Sequence, residues 1–124
     1  MSTPVGPYTP AVRAGQWLVC SGQLGTRQGE GGLELIAGGI AAQARQALSN
    51  VASLLAGHGL GWANVVKVTA FLADIEDYQA FNDAYRAALG SHRPARSVVA
   101  VSALPLEAVV EVEAWAYAGD DAPR

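Results

Sequence analysis

The sequence predicts an α+β fold in which two amphipathic helices pack on one face of a β-sheet. Two segments repeat apolar residues at the three-and-four spacing of a helix, and a β-branched run, 65–73, separates them. Further strand candidates precede the first segment and follow the second. This order of strands, helix, strand, helix and strands is typical of α+β domains. With 124 residues, the chain has room for a single domain spanning 1–124 and none for a second.

Each predicted helix has a defined apolar face and a glycine stop. The first is predicted from Ile40, Ala44, Ala47, Leu48, Val51, Leu54 and Leu55. Gly57 follows this face and is expected to end the helix in a left-handed cap. Asp74 and Asp77 can cap the second helix, which stops at Gly90. The apolar face of the second helix comprises Tyr78, Phe81, Tyr85, Ala88 and Leu89.

Short apolar runs bounded by turn residues predict the other strands, which are 17–20, 33–35, 96–101 and 108–118. Ser21 and Gly22 are expected to close the first of these strands. Four glycines in 25–32 indicate a loop or hairpin tip. The proline-rich start of the chain and its polar end are expected to be irregular, with 1–5 and 119–124 flexible.

The last strand candidate alternates between two kinds of face. Its even positions are small and apolar, which suits packing under helices: Val110, Val112, Ala114 and Ala116. Its odd positions are Val109, Glu111, Glu113, Trp115 and Tyr117. The central strand shows the same mixture at Lys67, Thr69 and Phe71. Aromatic side chains beside carboxylates on a bare sheet face predict a surface covered by another subunit, and therefore a homo-oligomer with sites at its subunit boundaries.

Composition argues against several classes of protein. A net charge of −3 and a pI near 5.2 provide no basic footprint for nucleic acid. The longest apolar stretches fall far short of the roughly 18 residues of a membrane span. No basic-then-apolar leader opens the chain, so an unprocessed protein outside the membrane is expected. The single cysteine, Cys20, forms no internal disulfide, which favours a reducing cytoplasm.

Several catalytic motifs are also missing from the sequence. The two histidines, His58 and His92, lack metal-ligand spacing, so no metal is expected. No acyl-serine motif or Walker loop occurs, and Trp62 replaces the last glycine of a dinucleotide fingerprint. Cys20 lies in an apolar run, which is typical of a buried hydrophobic residue. The remaining Arg, Glu, Tyr, Ser and Asn side chains suit binding of a small anion and positioning of water.

Seven segments follow one another along nearly the whole chain: Gly6-Pro7-Tyr8, Ser21-Gly22-Gln23, 42–51, 66–72, 81–85, 94–97 and 110–114. Together they resemble the RidA/YjgF family of reactive-intermediate deaminases. The resemblance implies a chorismate-mutase-like α+β subunit with a mixed β-sheet and two helices packed on one face. It also implies a homotrimer whose sheets form a central barrel, with active sites in the clefts between neighbours.

The resemblance further implies hydrolysis of 2-imino acids and their enamine tautomers, such as 2-aminoacrylate, to 2-keto acids and ammonia without a cofactor. By the same resemblance, Arg96 pairs with the substrate carboxylate and Glu111 orients the attacking water. Glu113, on the same face, is the local competitor for that role. The residues expected to bind substrate or to shape the site are Tyr8, Ser21, Gly22, Gln23 and Asn82. Neither nucleic acid nor a membrane is an expected partner.

Three alternative functions remain open from the sequence. One is a pathway-specific deaminase or hydrolase on the same scaffold, with pocket size set in part by the 25–32 loop. Another is a non-catalytic metabolite-binding or chaperone-like trimer, which the presence of both Arg96 and Glu111 disfavours. Ribonuclease activity is disfavoured by the acidic charge and the lack of a histidine pair. Val98 stands where many family members carry a cysteine, so redox regulation at this position is not expected.

Overall fold

The computed structural model describes residues 6–119, which form one five-stranded sheet, a two-stranded hairpin and two α-helices. The strands are β1 (Ala11–Ala14), β2 (Trp17–Leu24), β3 (Thr26–Gly29), β4 (Gly32–Leu35), β5 (Val65–Leu72), β6 (Ala95–Ala100) and β7 (Val110–Tyr117). The helices are α1 (Gly39–Ala56) and α2 (Tyr78–Leu89). The main sheet has the order β1-β2-β7-β5-β6, and β3 pairs with β4. Only β5 and β6 are parallel in the described sheet, so the sheet is mixed as expected.

Both helices pack against one face of the main sheet. The even positions of β7 are fully buried under them: Val110, Val112, Ala114 and Ala116. Leu48, Val51 and Leu55 of α1 and Phe81 of α2 belong to the same core. These contacts confirm the predicted α+β arrangement and the period-two pattern on which it was based.

The opposite face of the sheet carries no helix among the described residues. Trp17 packs edge-on against Trp115, with 6.2 Å between ring centroids, and lies 4.9 Å from the Tyr117 ring. Trp17 and Trp115 nevertheless remain 38% and 44% exposed. Glu113 lies beside Thr69 on this face. This face, here called the open face, therefore combines exposed aromatic rings with carboxylates, as predicted, and such surfaces are typical of interaction sites.

Ser21 and Gly22 do not end the second strand, contrary to the prediction. β2 runs through both residues, and its pairing with β7 shifts between Cys20 and Gln23. One extra residue on β2 is accommodated there, which makes a β-bulge. The Ser21 N–H donates to the Pro10 carbonyl at 2.8 Å, so the bulged backbone is held by the preceding segment. Residues typical of turns bend the strand here instead of stopping it.

The first helix ends where the spacing predicts, but its left-handed residue is Gly59 and not Gly57. Gly57 keeps helical angles, with φ −62° and ψ −16°, whereas Gly59 has φ +73°. The Leu60 N–H then donates to the Leu55 carbonyl at 2.9 Å, as in a Schellman closure. The prediction was wrong because the chain completes two more helix-like residues before it reverses.

The second helix begins at Tyr78 and stops before Gly90, as predicted. Asp74 caps the short 3₁₀ turn that precedes the helix, and its carboxylate accepts the Glu76 N–H at 2.9 Å. Asp77 stands at the N-cap position of α2 but makes no side-chain cap bond. Only the first of the two predicted acidic caps therefore acts through its side chain.

The glycine-rich 25–32 segment forms most of the β3–β4 hairpin, and 33–35 is its return strand as predicted. The sequence analysis did not predict β1. The residues expected to be flexible, 1–5 and 120–124, lie outside the described part of the chain. Gly119, the first residue of the expected tail, accepts a hydrogen bond from the Gln16 side-chain amide.

Gly25, at the start of the hairpin, packs closely against α1. A methyl group added at Gly25 would lie 2.6 Å from the Gln43 Cα atom. We expect Gly25→Ala to lower the free energy of unfolding by about 1–3 kcal/mol through overpacking against backbone. Gly31→Ala is the matched control, since nothing lies within 4 Å of its added methyl group. Chemical denaturation at one protein concentration measures both variants. Equal stability of the two variants would contradict the contact.

Candidate active site

Arg96 lies on the helix face of the sheet, at its β6 edge. Parallel pairing places Arg96 beside Val68, whose side chain is fully buried under the helices. The guanidinium carbon lies 4.8 Å from the Tyr85 ring centroid, 5.7 Å from that of Tyr78 and 5.9 Å from that of Phe81. Arg96 also donates to the Tyr78 hydroxyl at 3.1 Å. Three aromatic rings of α2 therefore hold the guanidinium by cation–π contacts and a hydrogen bond.

A cavity of about 310 Å³ opens at this group, lined by Tyr78, Asn82, Tyr85, Arg86, Arg93, Pro94 and Arg96. Asn82 and Tyr85 are 8% and 4% exposed. The Asn82 Oδ1 atom and the Tyr85 hydroxyl are buried without a hydrogen-bond partner among the described residues. Burial raises the pKa of Tyr85, and the nearby charges of Arg96 and Arg93 oppose that rise. Buried polar atoms usually have partners, so these two are available to a bound molecule.

Glu111 lies on the open face, at an odd position of β7. Its neighbours across the sheet are Phe71 on β5 and Leu24 on β2. A methyl group added at Gly22 would lie 2.7 Å from the Glu111 carboxyl carbon. A side chain at position 22 would therefore displace the Glu111 carboxylate, so this contact joins two predicted site residues, Gly22 and Glu111.

The environment of Glu111 favours its protonated form. Burial raises the pKa of the Glu111 carboxyl, and the charge of Glu113, two residues along the same face, raises it further. Both causes disfavour the charged carboxylate and therefore act in the same direction. Glu111 is the residue that the sequence analysis preferred over Glu113.

The Tyr8 segment is fixed to the bulge near Glu111. The Ser21 hydroxyl donates to the Thr9 carbonyl at 2.7 Å, and the Tyr8 N–H donates to the Gly6 carbonyl at 2.9 Å. Tyr8 itself is 42% exposed. Ser21 thus holds the segment that carries Tyr8, a role that the sequence analysis did not assign to it.

Gln23 faces away from Glu111. After the bulge it pairs with Val112, a residue of the helix face, and it lines a second cavity that also includes Gln46 and Asn50 of α1. The Gln23 Nε2 atom donates to the Ser21 carbonyl at 3.2 Å. Within one chain, Gln23 is therefore grouped with neither Glu111 nor Arg96.

Four of the predicted site residues form two clusters on opposite faces of the sheet. Arg96 and Asn82 share the helix-face cavity, which we call the arginine cluster. Glu111 and Gly22 share the open face, which we call the glutamate cluster. The sequence analysis missed Arg93 and placed Tyr78 and Tyr85 only on an apolar helix face. The seven-residue spacing of these tyrosines, two turns of α2, is the signal that could have predicted a shared partner.

Cys20 is buried, and burial raises the pKa of its thiol to about 11, which leaves it unreactive near neutral pH. Within residues 6–119, no group of three or more His, Cys, Asp or Glu side chains could hold a metal ion. No helix in the same range has the length and apolarity to cross a membrane.

The fold and these clusters define a small α+β protein with an arginine held by aromatic rings at a cavity on one face of its sheet and a half-buried carboxyl of raised pKa on the other. The sequence profile described as Endoribonuclease L-PSP matches residues 1–118. The chain belongs to this family, which is also called the RidA/YjgF family.

Named relatives match almost the whole chain, as the family profile does. The 2-iminobutanoate/2-iminopropanoate deaminase of Capra hircus is 43% identical over 115 residues, covering 93% of this chain and 82% of the relative. The deaminase of the same name from Homo sapiens is 40% identical, with the same coverage. A crystal structure of RidA from a Psychrobacter species is 37% identical, with a TM-score of 0.86 over 94% of this chain and 92% of that one. E. coli TdcF with bound serine has a TM-score of 0.86 at 30% identity, covering 95% of this chain and 93% of that one.

The raised pKa of Glu111 has a consequence for stability. The folded chain binds a proton at Glu111 more tightly than the unfolded chain does, so this residue lowers the free energy of unfolding as the pH rises above the ordinary glutamate range. We expect Glu111→Gln to be more stable than the wild type at neutral pH, with a difference that shrinks on acidification.

Denaturant unfolding of both proteins across a pH series measures this difference. Glu113→Gln is the control, and it should recover only part of the effect because burial is the larger cause of the shift. A stability difference that does not change with pH would contradict the assignment.

Proposed function

We propose that the chain hydrolyses reactive 2-imino acids and their enamine tautomers, such as 2-aminoacrylate, to 2-keto acids and ammonia. The arginine cluster is the observation that carries this proposal. Its guanidinium is held by aromatic rings at a cavity, yet it pairs with no carboxylate among residues 6–119. A guanidinium fork binds both oxygens of a carboxylate at once, so the missing anion is expected to arrive with the substrate. The names of the deaminase relatives support the same chemistry.

Glu111 supplies the acid–base group for the reaction. Water adds to the imine carbon, and the resulting carbinolamine releases ammonia once its nitrogen is protonated. The protonated Glu111 carboxyl can pass a proton to the departing nitrogen, and the carboxylate that results can accept one from the attacking water. Burial and the Glu113 charge raise the pKa of Glu111, which favours the proton-donating form. Such proton transfer raises the reaction rate roughly 10²–10⁴-fold, and positioning of the substrate by Arg96 supplies the rest of the rate enhancement.

One active site in this proposal uses two copies of the chain. Arg96 and Glu111 lie on opposite faces of one sheet, so a substrate between them must also lie between two subunits. The exposed aromatic residues of the open face supply the surface on which a neighbour can pack. The proposed assembly is the homotrimer that the resemblance implies, with its sheets forming a central barrel. A cytoplasmic location belongs to the same proposal, and the unreactive, unpaired Cys20 supports it.

The hydrogen bonds of the two histidines favour imine hydrolysis over RNA cleavage, the activity that the name of the family implies. The Nδ1 atom of His58 lies 3.0 Å from the Leu54 carbonyl oxygen, and the Nε2 atom of His92 lies 2.8 Å from the Val65 carbonyl oxygen. One nitrogen of each ring therefore bonds to a backbone carbonyl. The net charge of −3 also disfavours a polyanionic substrate.

Arg96→Ala tests the proposal directly. We expect kcat/KM for freshly generated 2-aminoacrylate to fall by about a hundredfold, because the variant loses charge-assisted hydrogen bonds to the carboxylate. Keto-acid formation, followed with and without protein, measures this effect. Arg13→Ala is the matched control, since the Arg13 side chain is exposed on β1 and donates to the Gly15 carbonyl. A wild-type rate in Arg96→Ala would refute the assignment.

A further inference from the structure

The arginine cluster contains more positive charge than one substrate carboxylate requires. Three guanidinium groups line its cavity: Arg86, Arg93 and Arg96. Arg86 pairs with the Asp83 carboxylate at 3.1 Å, whereas among the described residues neither Arg93 nor Arg96 pairs with a carboxylate. Within residues 6–119 of one chain, two positive charges without a carboxylate partner therefore face one cavity, which favours an anion with more than one negative charge.

Arg93 is positioned by the short connection between α2 and β6. Its Nη1 atom donates to the Gly90 and His92 carbonyls, at 2.5 and 2.9 Å. Both bonds use one nitrogen, so the other N–H groups of the guanidinium stay available to a ligand. Arg93 and Arg96 both act electrostatically on the Tyr85 phenol, so the two charges converge on this side of the cavity.

The unpartnered polar atoms of the cavity fit a ligand that is polar at both ends. The Tyr85 hydroxyl can donate a hydrogen bond to an anion. The Asn82 Oδ1 atom can only accept a hydrogen bond, for example from an imine N–H. Both side chains are more than nine-tenths buried. A bound molecule that satisfies both atoms therefore needs a hydrogen-bond acceptor, such as a carboxylate oxygen, and an N–H or O–H donor.

We infer that Arg93 is a specificity-determining residue that binds a second carboxylate, so that 2-imino dicarboxylic acids are the preferred substrates. This inference rests on the proposed deaminase function. Arg96 holds the carboxylate next to the imine, and Arg93, with the Tyr85 hydroxyl, holds the carboxylate at the end of the side chain. The cavity, at about 310 Å³, has room for a short-chain dicarboxylic acid.

The test compares two imines produced in situ by the matching amino-acid oxidases, one from L-glutamate and one from L-norvaline. These substrates have the same carbon-chain length and differ in the terminal carboxylate. For Arg93→Gln, we expect kcat/KM for the glutamate-derived imine to fall at least about tenfold, while the value for the norvaline-derived imine changes less than about twofold. The Gln amide can still donate to the local carbonyls. Arg13→Gln, remote from the cavity, should leave the ratio of the two values unchanged.

Equal losses on both imines in Arg93→Gln would overturn the inference and indicate a structural role for Arg93. An unchanged rate on the glutamate-derived imine would overturn it as well. If the wild type turns over neither imine, the proposed function fails and the second test is calorimetric binding of 2-oxoglutarate and 2-oxopentanoate. Tighter binding of 2-oxoglutarate that Arg93→Gln abolishes supports the dicarboxylate site, and equal binding of the two keto acids contradicts it.

Discussion

The period-two geometry of the β-sheet is the constraint on which the site depends. Residues on neighbouring strands that lie side by side point to the same face, so the pairing of Arg96 with Val68 places the arginine among the helices. The same rule places Glu111, at an odd position of β7, on the open face. A shift of one residue in either strand would exchange these faces. The separation of the two clusters is therefore a property of the sheet register and not of side-chain flexibility.

Burial prepares each cluster for a different task. The aromatic rings of α2 fix the plane of the Arg96 guanidinium and limit the entropy that it loses when it binds an anion. On the open face, burial beside Gly22 raises the pKa of Glu111. In the proposed function, the arginine cluster therefore binds the carboxylate and the glutamate cluster transfers protons. An imine needs both, because its carboxylate must be held while its nitrogen is protonated.

Much of the fold could be predicted because hydrophobic patterns report directly on burial. The alternation in β7 predicted both of its faces, and the three-and-four spacing predicted both helices. The pattern could not reveal the bulge at Ser21 and Gly22, since turn residues at that point are compatible with either a stop or a bend. The face of the sheet on which Gln23 lies depends on that bulge, so the sequence could not predict this face either.

The residues of the arginine cluster could be predicted from the sequence only in part. The sequence could mark Arg96 through its resemblance to a family motif, but Arg93 belongs to no motif that was recognised. Its place in the cavity depends on the three-dimensional path of the chain from Gly90 to Pro94. The tyrosines of α2 were predicted to be core residues, and their contact with Arg96 depends on the packing of α2 beside β6. Contacts between elements distant in sequence carry this information, and local patterns do not.

The central claim, that each active site joins Arg96 of one subunit to Glu111 of another, is tested most directly by co-expressing Arg96→Ala and Glu111→Gln chains that carry different tags. Each variant alone should lose about a hundredfold or more of the wild-type activity. Mixed trimers purified through both tags should recover imine hydrolysis at about a third of the wild-type rate per site, because one of the three interfaces in each mixed trimer joins an intact Arg96 to an intact Glu111. Mixed assemblies that stay as inactive as the parent variants would contradict the shared site.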